Sequence, residues 1–246
     1  MSEAQFRVLG GPTVLIEVGG LRLLTDPTFD GPGDYPGEVP LTKTAPSRLA
    51  PADLGRLDAV LLSHDQHADN LDISGRELLG SVPTVLTTPS GGERLGGTAR
   101  GMAAWETHDL ARPDGGVLTV TAVPAQHGPD GCEPLTGEVT GFVLTAPDVP
   151  AIYVSGDNAS LPLVEQIAER FGPVDTAVLF AGAVRTSRFD GALLTLDSEL
   201  AAKAAAALGA RRVVPAHLDS WAHFTEGLDE FVAAFTAAGL ADRLVL

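Results

Sequence analysis

Cysteine is almost absent from this sequence of 246 residues, because Cys132 is its single thiol. One cysteine cannot form an internal disulfide, and it cannot supply a four-cysteine zinc cluster. The cysteine content therefore permits a cytosolic protein. Since Cys132 sits in an expected loop with nothing evident to activate it, we do not propose it as a nucleophile.

Positive charge is also scarce. The sequence has 16 Lys and Arg residues against 32 Asp and Glu residues, which gives a formal net charge of −16, and lysine occurs only at positions 43 and 203. The negative electrostatic potential of such a protein repels phosphate backbones and anionic lipids. We therefore expect neither a nucleic acid nor a membrane as a partner.

Long apolar runs are missing as well. No stretch approaches the roughly 20 apolar residues that a membrane span needs, and the first ten residues lack a basic segment followed by an apolar run. A cytoplasmic location is therefore expected. The sequence leaves the oligomeric state open.

Apolar residues nevertheless make up 44% of the chain, which is enough for a sizeable core. No low-complexity segment or linker divides the sequence, so we expect residues 1–246 to form one domain. Strand-like segments dominate the first part and alternate with helical ones later, which favours sheets with helices packed outside. Residues 30–51 are rich in Pro and Gly and are expected to be a long surface loop at the rim of a pocket.

The individual elements follow from local patterns. Strands are expected at residues 13–18 and 21–25, joined by a Gly19-Gly20 turn, and at 59–62, 82–86, 117–123, 141–145, 151–154, 176–180 and 212–214. Helices are expected at residues 161–171, 198–208 and 228–238. Residues 13–26 and 141–157 each read as two strands followed by an aspartate, which indicates either two related halves or a chance similarity between hairpins.

Several potential metal ligands directly follow short apolar runs. His64, His127 and His217 do so, Asp157 repeats the pattern, and His67 comes soon after the first. Ligands at strand ends can converge on one edge of a sandwich, where loops leave room for a substrate. Imidazoles and carboxylates are ligands for zinc, manganese and iron, and a catalytic site keeps a position open for water.

Five short segments, in order, resemble the metallo-β-lactamase superfamily, especially its lactonase- and phospholipase-D-like branch. They are Leu23-Leu24-Thr25-Asp26-Pro27, Leu62-Ser63-His64, Pro124-Ala125-Gln126-His127, Ser155-Gly156-Asp157 and Pro215-Ala216-His217. The resemblance runs over nearly the whole chain. It implies an α/β fold, an αββα four-layer sandwich, with one or two divalent metal ions, zinc being favoured over manganese or iron.

The family motif H-x-H-x-D-H is altered in this chain, which reads His64-Asp65-Gln66-His67-Ala68-Asp69-Asn70. With one residue inserted, His67 takes the second histidine's place and Asn70 replaces the last histidine. Without the insertion, Gln66 falls on the second histidine and the aspartate is lost. We favour the first register, and Asn70 is a poorer ligand than imidazole.

On that register, the resemblance implies two groups of metal ligands. His64, His67 and His127 would bind one metal; Asp69, Asp157 and His217 would serve a second, with Asp157 bridging the two. Asp69 would also be catalytic and orient the water, and His223 would line the pocket as a proton donor. Simpler interpretations are a helix cap for Asp69, a turn for Asp157 and a packing role for His223, and His108 has no site context.

The expected activity is hydrolysis of a small-molecule ester, lactone, amide or phosphodiester by metal-activated water. Two alternatives remain open. Gln66 and Asn70 are consistent with a binding protein whose metal site has decayed. The same scaffold also suits a metal-dependent isomerase, cyclase or oxygenase, because a fold does not fix a reaction.

Overall fold

Two six-stranded sheets pack face to face in the computed structural model, which describes residues 4–37 and 39–246. In chain order, the strands within this part are β1 Gln5–Gly10, β2 Thr13–Val18, β3 Leu21–Thr25, β4 Gly33–Tyr35, β5 Leu41–Lys43, β6 Ala59–Leu61, β7 Val85–Thr87, β8 Ala99–Gly101, β9 Thr107–Ala111, β10 Val117–Pro124, β11 Thr140–Ala146, β12 Val149–Val154, β13 Thr176–Phe180 and β14 Arg212–Ala216. The helices are α1 Ile73–Leu79, α2 Pro89–Leu95, α3 Glu133–Thr136, α4 Leu161–Phe171, α5 Ser198–Ala207 and α6 Leu228–Ala237.

The two sheets share the pairing pattern of their central strands. The first has the order β1-β2-β3-β6-β7-β8, and the second has the order β9-β10-β11-β12-β13-β14. Strands β2 and β3 form an antiparallel hairpin whose second strand pairs in parallel with β6; β11 and β12 do the same with β13. The echo between residues 13–26 and 141–157 is therefore a repeated arrangement of strands.

Apolar side chains fill three layers of core. The central layer lies between the sheets and contains buried residues from both, such as Ile16 and Phe142. The outer face of the first sheet contributes to a cluster with Leu71 and Leu79, and that of the second sheet packs against α4, α5 and α6. Helices thus cover both outer faces, which confirms the expected αββα sandwich.

Most of the predicted elements are present. The hairpin β2–β3, strand β13 and helix α4 have the predicted bounds, and α5 and α6 end one residue earlier than predicted. The prediction of residues 30–51 as a loop without strands was wrong, because β4 and β5 form an antiparallel hairpin within it. Strands β1, β8 and β9 and helices α1, α2 and α3 were not predicted. No helix among the described residues is long and apolar enough to cross a membrane.

Candidate metal centre

Three histidines form the first group of candidate ligands. His64 follows β6, His127 follows β10, and His67 lies in the turn before α1. Their candidate ligand atoms lie within 4.8 Å of one another, and His64 and His127 are buried. The structure thus brings together the three histidines that were predicted to share one metal.

Neighbouring groups fix how two of these rings are oriented. Nδ1 of His64 lies 3.0 Å from the Ser63 hydroxyl, and that hydroxyl donates to Oδ1 of Asp26 at 2.6 Å. Since the Ser63 proton points at Asp26, Nδ1 of His64 is the donor in their contact. Nδ1 of His127 donates to the Leu194 carbonyl at 2.8 Å. Each ring therefore has an Nε2 without a proton, as in other metal-binding histidines, and that of His64 lies 2.8 Å from Nδ1 of His67.

Asp69, Asp157 and His217 form a second group, and all three are buried. Nε2 of His217 lies 3.4 Å from Oδ2 of Asp69 and 3.6 Å from Oδ1 of Asp157. The His217 ring packs between Phe180 and Phe224, with ring centroids 5.6 and 4.2 Å away. These aromatic contacts hold the imidazole between the two carboxylates.

Gly156 allows Asp157 to reach this position. Its φ of +58° is in the left-handed region, and an added Cβ would lie 2.6 Å from the Thr140 carbonyl oxygen and 2.8 Å from Cβ of Ser63. Only glycine tolerates both the conformation and the close approach. The turn after β12 in one sheet therefore packs directly on the turn after β6 in the other, and both turns carry candidate ligands.

The two groups differ in charge. Burial, together with the neighbouring His67 and His127, holds the pKa of His64 well below its ordinary value, and burial also lowers the pKa of His127. Burial disfavours a charged His217, but the carboxylates of Asp157 and Asp69 outweigh it and raise its pKa. His64 and His127 thus present neutral imidazoles, whereas the second group combines two carboxylates with one imidazole.

Several buried polar atoms in the centre have no hydrogen-bond partner among the described residues. They include both ring nitrogens of His217, Oδ2 of Asp157 and Oδ1 of Asn70. Leaving such groups unpaired costs about 1–3 kcal/mol each. A divalent cation would bind nitrogen and oxygen atoms of this kind as ligands. The residues therefore fit the metal that the sequence suggests.

In the altered motif, the structure places His67 at the centre and leaves Gln66 outside it. His67 faces the other two histidines, whereas Gln66 is exposed and lies away from them, beside Gly137. Asn70 is buried next to Asp157. Asp69 does not cap a helix, since Asp72 is the residue that caps α1.

His223 joins the centre through Asp69. Its Nε2 lies 2.9 Å from Oδ2 of Asp69, and its side chain is 22% exposed. Burial disfavours the Asp69 carboxylate, but His217 and His223 outweigh it and hold the pKa of Asp69 well below its ordinary value. His108 lies in β9, the edge strand of the second sheet, where it pairs with Val120. No hydrogen bond among the described residues joins it to these groups.

A cavity of about 150 Å³ opens above the centre. Its floor includes His67, Asp69, His127 and His223. Its walls come from the segment before and within β5, from α3 and from residues 184–194, and they include Val39, Pro40, Leu41, Leu135, Thr136, Val184, Arg185, Thr186, Arg188, Phe189 and Leu194. Residues 30–51 thus contribute to the rim, as predicted.

Sequence reasoning missed the roles of Asp26 and Ser63. Asp26 is buried after β3 and accepts hydrogen bonds from both the backbone N–H and the hydroxyl of Ser63. Burial raises the pKa of Asp26 well above its ordinary value, although the bonds from Ser63 oppose the rise and the nearby Asp157 adds to it. The aspartate at the end of a strand was the available signal, because Asp157 has the same context.

Comparison with known proteins gives a consistent result. A family model described as the Beta-lactamase superfamily domain matches residues 21–218. A UPF0173 metal-dependent hydrolase from Pyrobaculum neutrophilum is 27% identical, with 98% of this chain and 96% of that protein covered. One of the same name from Methanosphaerula palustris is 30% identical, with 72% and 75% covered. The crystal structure of an isothiocyanate hydrolase from Delia radicum gut bacteria has the same fold, with a TM-score of 0.80, 19% identity, and 98% of this chain and 94% of that chain covered.

Proposed function

Because the chain belongs to the metallo-β-lactamase superfamily, in which its relatives are named metal-dependent hydrolases, we propose that it hydrolyses a small molecule at the centre described above. The observation that carries the proposal is the meeting of two ligand groups beneath one cavity. We also propose that residues 1–246 form one domain, which is supported by the core that both sheets share.

His64, His67 and His127 would hold one divalent metal, and Asp69, Asp157 and His217 would serve a second, with zinc as the favoured ion. When bound, the metal lowers the pKa of a water molecule to about 7 and polarises the scissile bond. The Asp69 carboxylate would orient the attacking water. His223 fixes Asp69 through their 2.9 Å contact and is exposed enough to give a proton to the leaving group.

The cavity supports a small substrate with an apolar part. Its volume of about 150 Å³ is below the roughly 300–1,000 Å³ typical of sites for drug-sized ligands. Two exposed apolar side chains, Val39 at 53% and Leu135 at 59%, border it. The bond cleaved would be an ester, lactone, amide or phosphodiester.

Metal analysis together with a substrate panel tests the proposal. Protein purified without chelator should hold at least one equivalent of a transition metal, and it should cleave a chromogenic ester, a lactone, an anilide or a phosphodiester. Removal of the metal should abolish cleavage, and zinc, manganese or iron should restore it. Less than one equivalent, unrestored by any of these ions, would contradict the proposal and favour a binding protein with a decayed site. Oxygen consumption by the iron-loaded protein would instead favour an oxygenase.

Replacing His223 should separate proton transfer from metal binding. We expect His223→Gln to lower kcat by about 100-fold, the lower end of the range for a general acid or base, with metal content unchanged. Steady-state kinetics and metal analysis check this. His108→Gln is the matched control, because His108 lies in β9 outside the centre, and its activity should equal that of the wild type. Equal kcat values for His223→Gln and His108→Gln would show that His223 only packs.

A further inference from the structure

The walls of the cavity above the metal centre differ in charge from the chain as a whole. Acidic residues outnumber basic ones 32 to 16 in the sequence, yet Asp69 is the only acid among the described residues that line the cavity. Asp69 belongs to the candidate ligands at the floor. The walls instead contain two arginines, Arg185 and Arg188, among mostly apolar side chains. Such walls attract an anion that the net charge of the protein would otherwise repel.

Arg185 lies on a hairpin that is joined to the first group of ligands. The Leu194 N–H donates to the Val184 carbonyl at 2.7 Å, and Arg185 forms an antiparallel bridge with Leu193. The Leu194 carbonyl in turn accepts the hydrogen bond from Nδ1 of His127. The backbone of Arg185 is therefore fixed relative to the metal centre.

The guanidinium of Arg185 keeps hydrogen-bond donors for a ligand. Its Nη1 donates to the Gly191 carbonyl at 2.9 Å, across the hairpin. Its Nη2 lies 3.9 Å from Oδ2 of Asp197, which is too long for a hydrogen bond, and the side chain is 45% exposed. Since a guanidinium has several N–H groups in a planar fork, one bond to Gly191 orients it and leaves others available.

We propose that the substrate carries a carboxylate in addition to the bond that is cleaved, and that Arg185 binds this carboxylate. Because the carboxylate belongs to the substrate of the same centre, the proposal rests on the proposed function. A planar guanidinium binds a carboxylate through two parallel hydrogen bonds. Phosphate also binds arginine, but it presents a third oxygen to a cavity of about 150 Å³ with mostly apolar walls, which favours the carboxylate.

The positions of the two binding elements define the shape of such a substrate. The candidate metal ligands form the floor of the cavity, whereas Arg185 belongs to its wall. Apolar residues such as Leu135 and Val184 line the same space. The substrate is therefore expected to be a short apolar chain with the scissile bond at one end and the carboxylate at the other.

Arg185 could instead serve only to hold the hairpin closed through Gly191. The preference between charged and neutral ligands distinguishes the two roles. Loss of a purely structural contact would weaken the binding of both ligands by the same factor. Loss of a charge-assisted hydrogen bond weakens the binding of the charged ligand selectively.

Hexanoate and hexanamide are suitable probes, because they share an apolar chain and differ in charge at one end. Ligand-observed NMR titrations of the metal-containing protein measure the Kd of each. Wild type should bind hexanoate at least about 10-fold more tightly than hexanamide, and Arg185→Gln should lose about 10-fold or more of this preference. Any coordination of hexanoate by the metal is common to both proteins, so the difference between them reports on Arg185.

A charge reversal and a matched control make the result specific. Arg185→Glu should bind hexylamine more tightly than hexanoate, which reverses the preference of wild type. The control is Arg100→Gln, because the Arg100 side chain is 50% exposed and also lies near one carboxylate, but it belongs to β8 outside the cavity. Arg100→Gln should keep the preference of wild type. Circular dichroism of each variant checks folding.

Kinetics tests whether the carboxylate belongs to the substrate. Carboxylate-ended and methyl-ended versions of the compound cleaved in the panel are compared, such as the mono-nitrophenyl ester of adipic acid and nitrophenyl hexanoate. In wild type, kcat/KM should be at least about 10-fold higher for the carboxylate-ended compound, and Arg185→Gln should remove this advantage.

An equal preference for hexanoate in wild type and Arg185→Gln would overturn the proposal. Cleavage without any advantage for the carboxylate-ended compound would also overturn it, while leaving the proposed function intact. Selective binding of hexanoate through Arg185, with no cleavage of any compound, would contradict the proposed function alone and leave a carboxylate-binding site.

Discussion

Replacing His64 by alanine should remove the first metal and lower kcat/KM on the order of 10³-fold, the largest loss of activity that we expect from a single substitution. The metal contributes several kcal/mol to the transition state, and each 1.4 kcal/mol corresponds to a factor of ten in rate. His64 is fully buried beneath the cavity, so no water molecule or side chain from solvent easily takes its place. Metal analysis and steady-state kinetics on the substrate found in the panel measure the two effects.

Two other substitutions make the result specific. Ser63→Ala leaves all three histidines in place and removes only the hydroxyl between His64 and Asp26, so metal affinity should fall by about 10- to 100-fold. His108→Ala should change neither metal content nor rate. Metal content in His64→Ala equal to that of wild type would mean that this histidine is a core residue and not a ligand. Unfolding curves of the metal-free proteins separate loss of metal from loss of fold.

The positions of the candidate ligands could be predicted because each follows a short buried strand. The runs before His64, His127 and His217 are apolar and bounded, so the sequence marks the strand end and the residue that follows it. Strands β6, β10 and β14 then place these residues at one edge of the sandwich. Each candidate ligand can be recognised from the residues next to it in the sequence. Which candidates share one metal could be predicted only from the resemblance to a family.

Helices α1 and α2 were not among the predicted helices because their glycines oppose helix formation locally. Gly75 in α1 and Gly92 in α2 each lower helix propensity by about 1 kcal/mol relative to alanine. In the structure, an added Cβ at Gly75 would lie 1.9 Å from the Pro27 carbonyl oxygen, and one at Gly92 would lie 2.4 Å from the backbone nitrogen of Gly101. These glycines are required because α1 packs closely on the turn at Pro27 and α2 packs closely on β8. Such contacts depend on the tertiary structure and cannot be read from the local sequence.

The contact between Asp26 and Ser63 also depends on tertiary structure. The two residues are 37 positions apart and meet because β3 and β6 pair in parallel. Nothing in the local pattern around either residue specifies this pairing. The strand-end aspartate indicated a site, but its partner became visible only when the order of strands in the sheet was known.

A buried ion pair connects the rim of the cavity to the body of the protein. Nζ of Lys43 in β5 lies 2.9 Å from Oδ2 of Asp72, and their side chains are 1% and 0% exposed. Asp72 also accepts hydrogen bonds from the backbone N–H groups of Asp30 and Gly75. The Asp72 carboxylate therefore connects Asp30, before the β4–β5 hairpin, and Lys43, at its end, to the start of α1.

Replacing Lys43 by methionine should lower the free energy of unfolding by about 3–5 kcal/mol, the largest loss of stability that we expect from a single substitution. Methionine fills a similar volume, but the Asp72 carboxylate then stays buried without its counter-ion. Leu41 lies two residues away and lines the cavity, so KM should rise by a larger factor than kcat falls. Urea denaturation and steady-state kinetics measure these changes.

The chain provides a matched control, because its other lysine, Lys203, is exposed on α5. Lys203→Met should change stability by less than about 0.5 kcal/mol. Asp72→Asn alone should be as damaging as Lys43→Met, because it leaves the ammonium group buried. The double variant Lys43→Met with Asp72→Asn contains no buried charge at this position, so it should lose less stability than the sum of the single losses, by at least about 2 kcal/mol. Additive losses would show that the two charges are not coupled and that the hairpin is held by its other contacts.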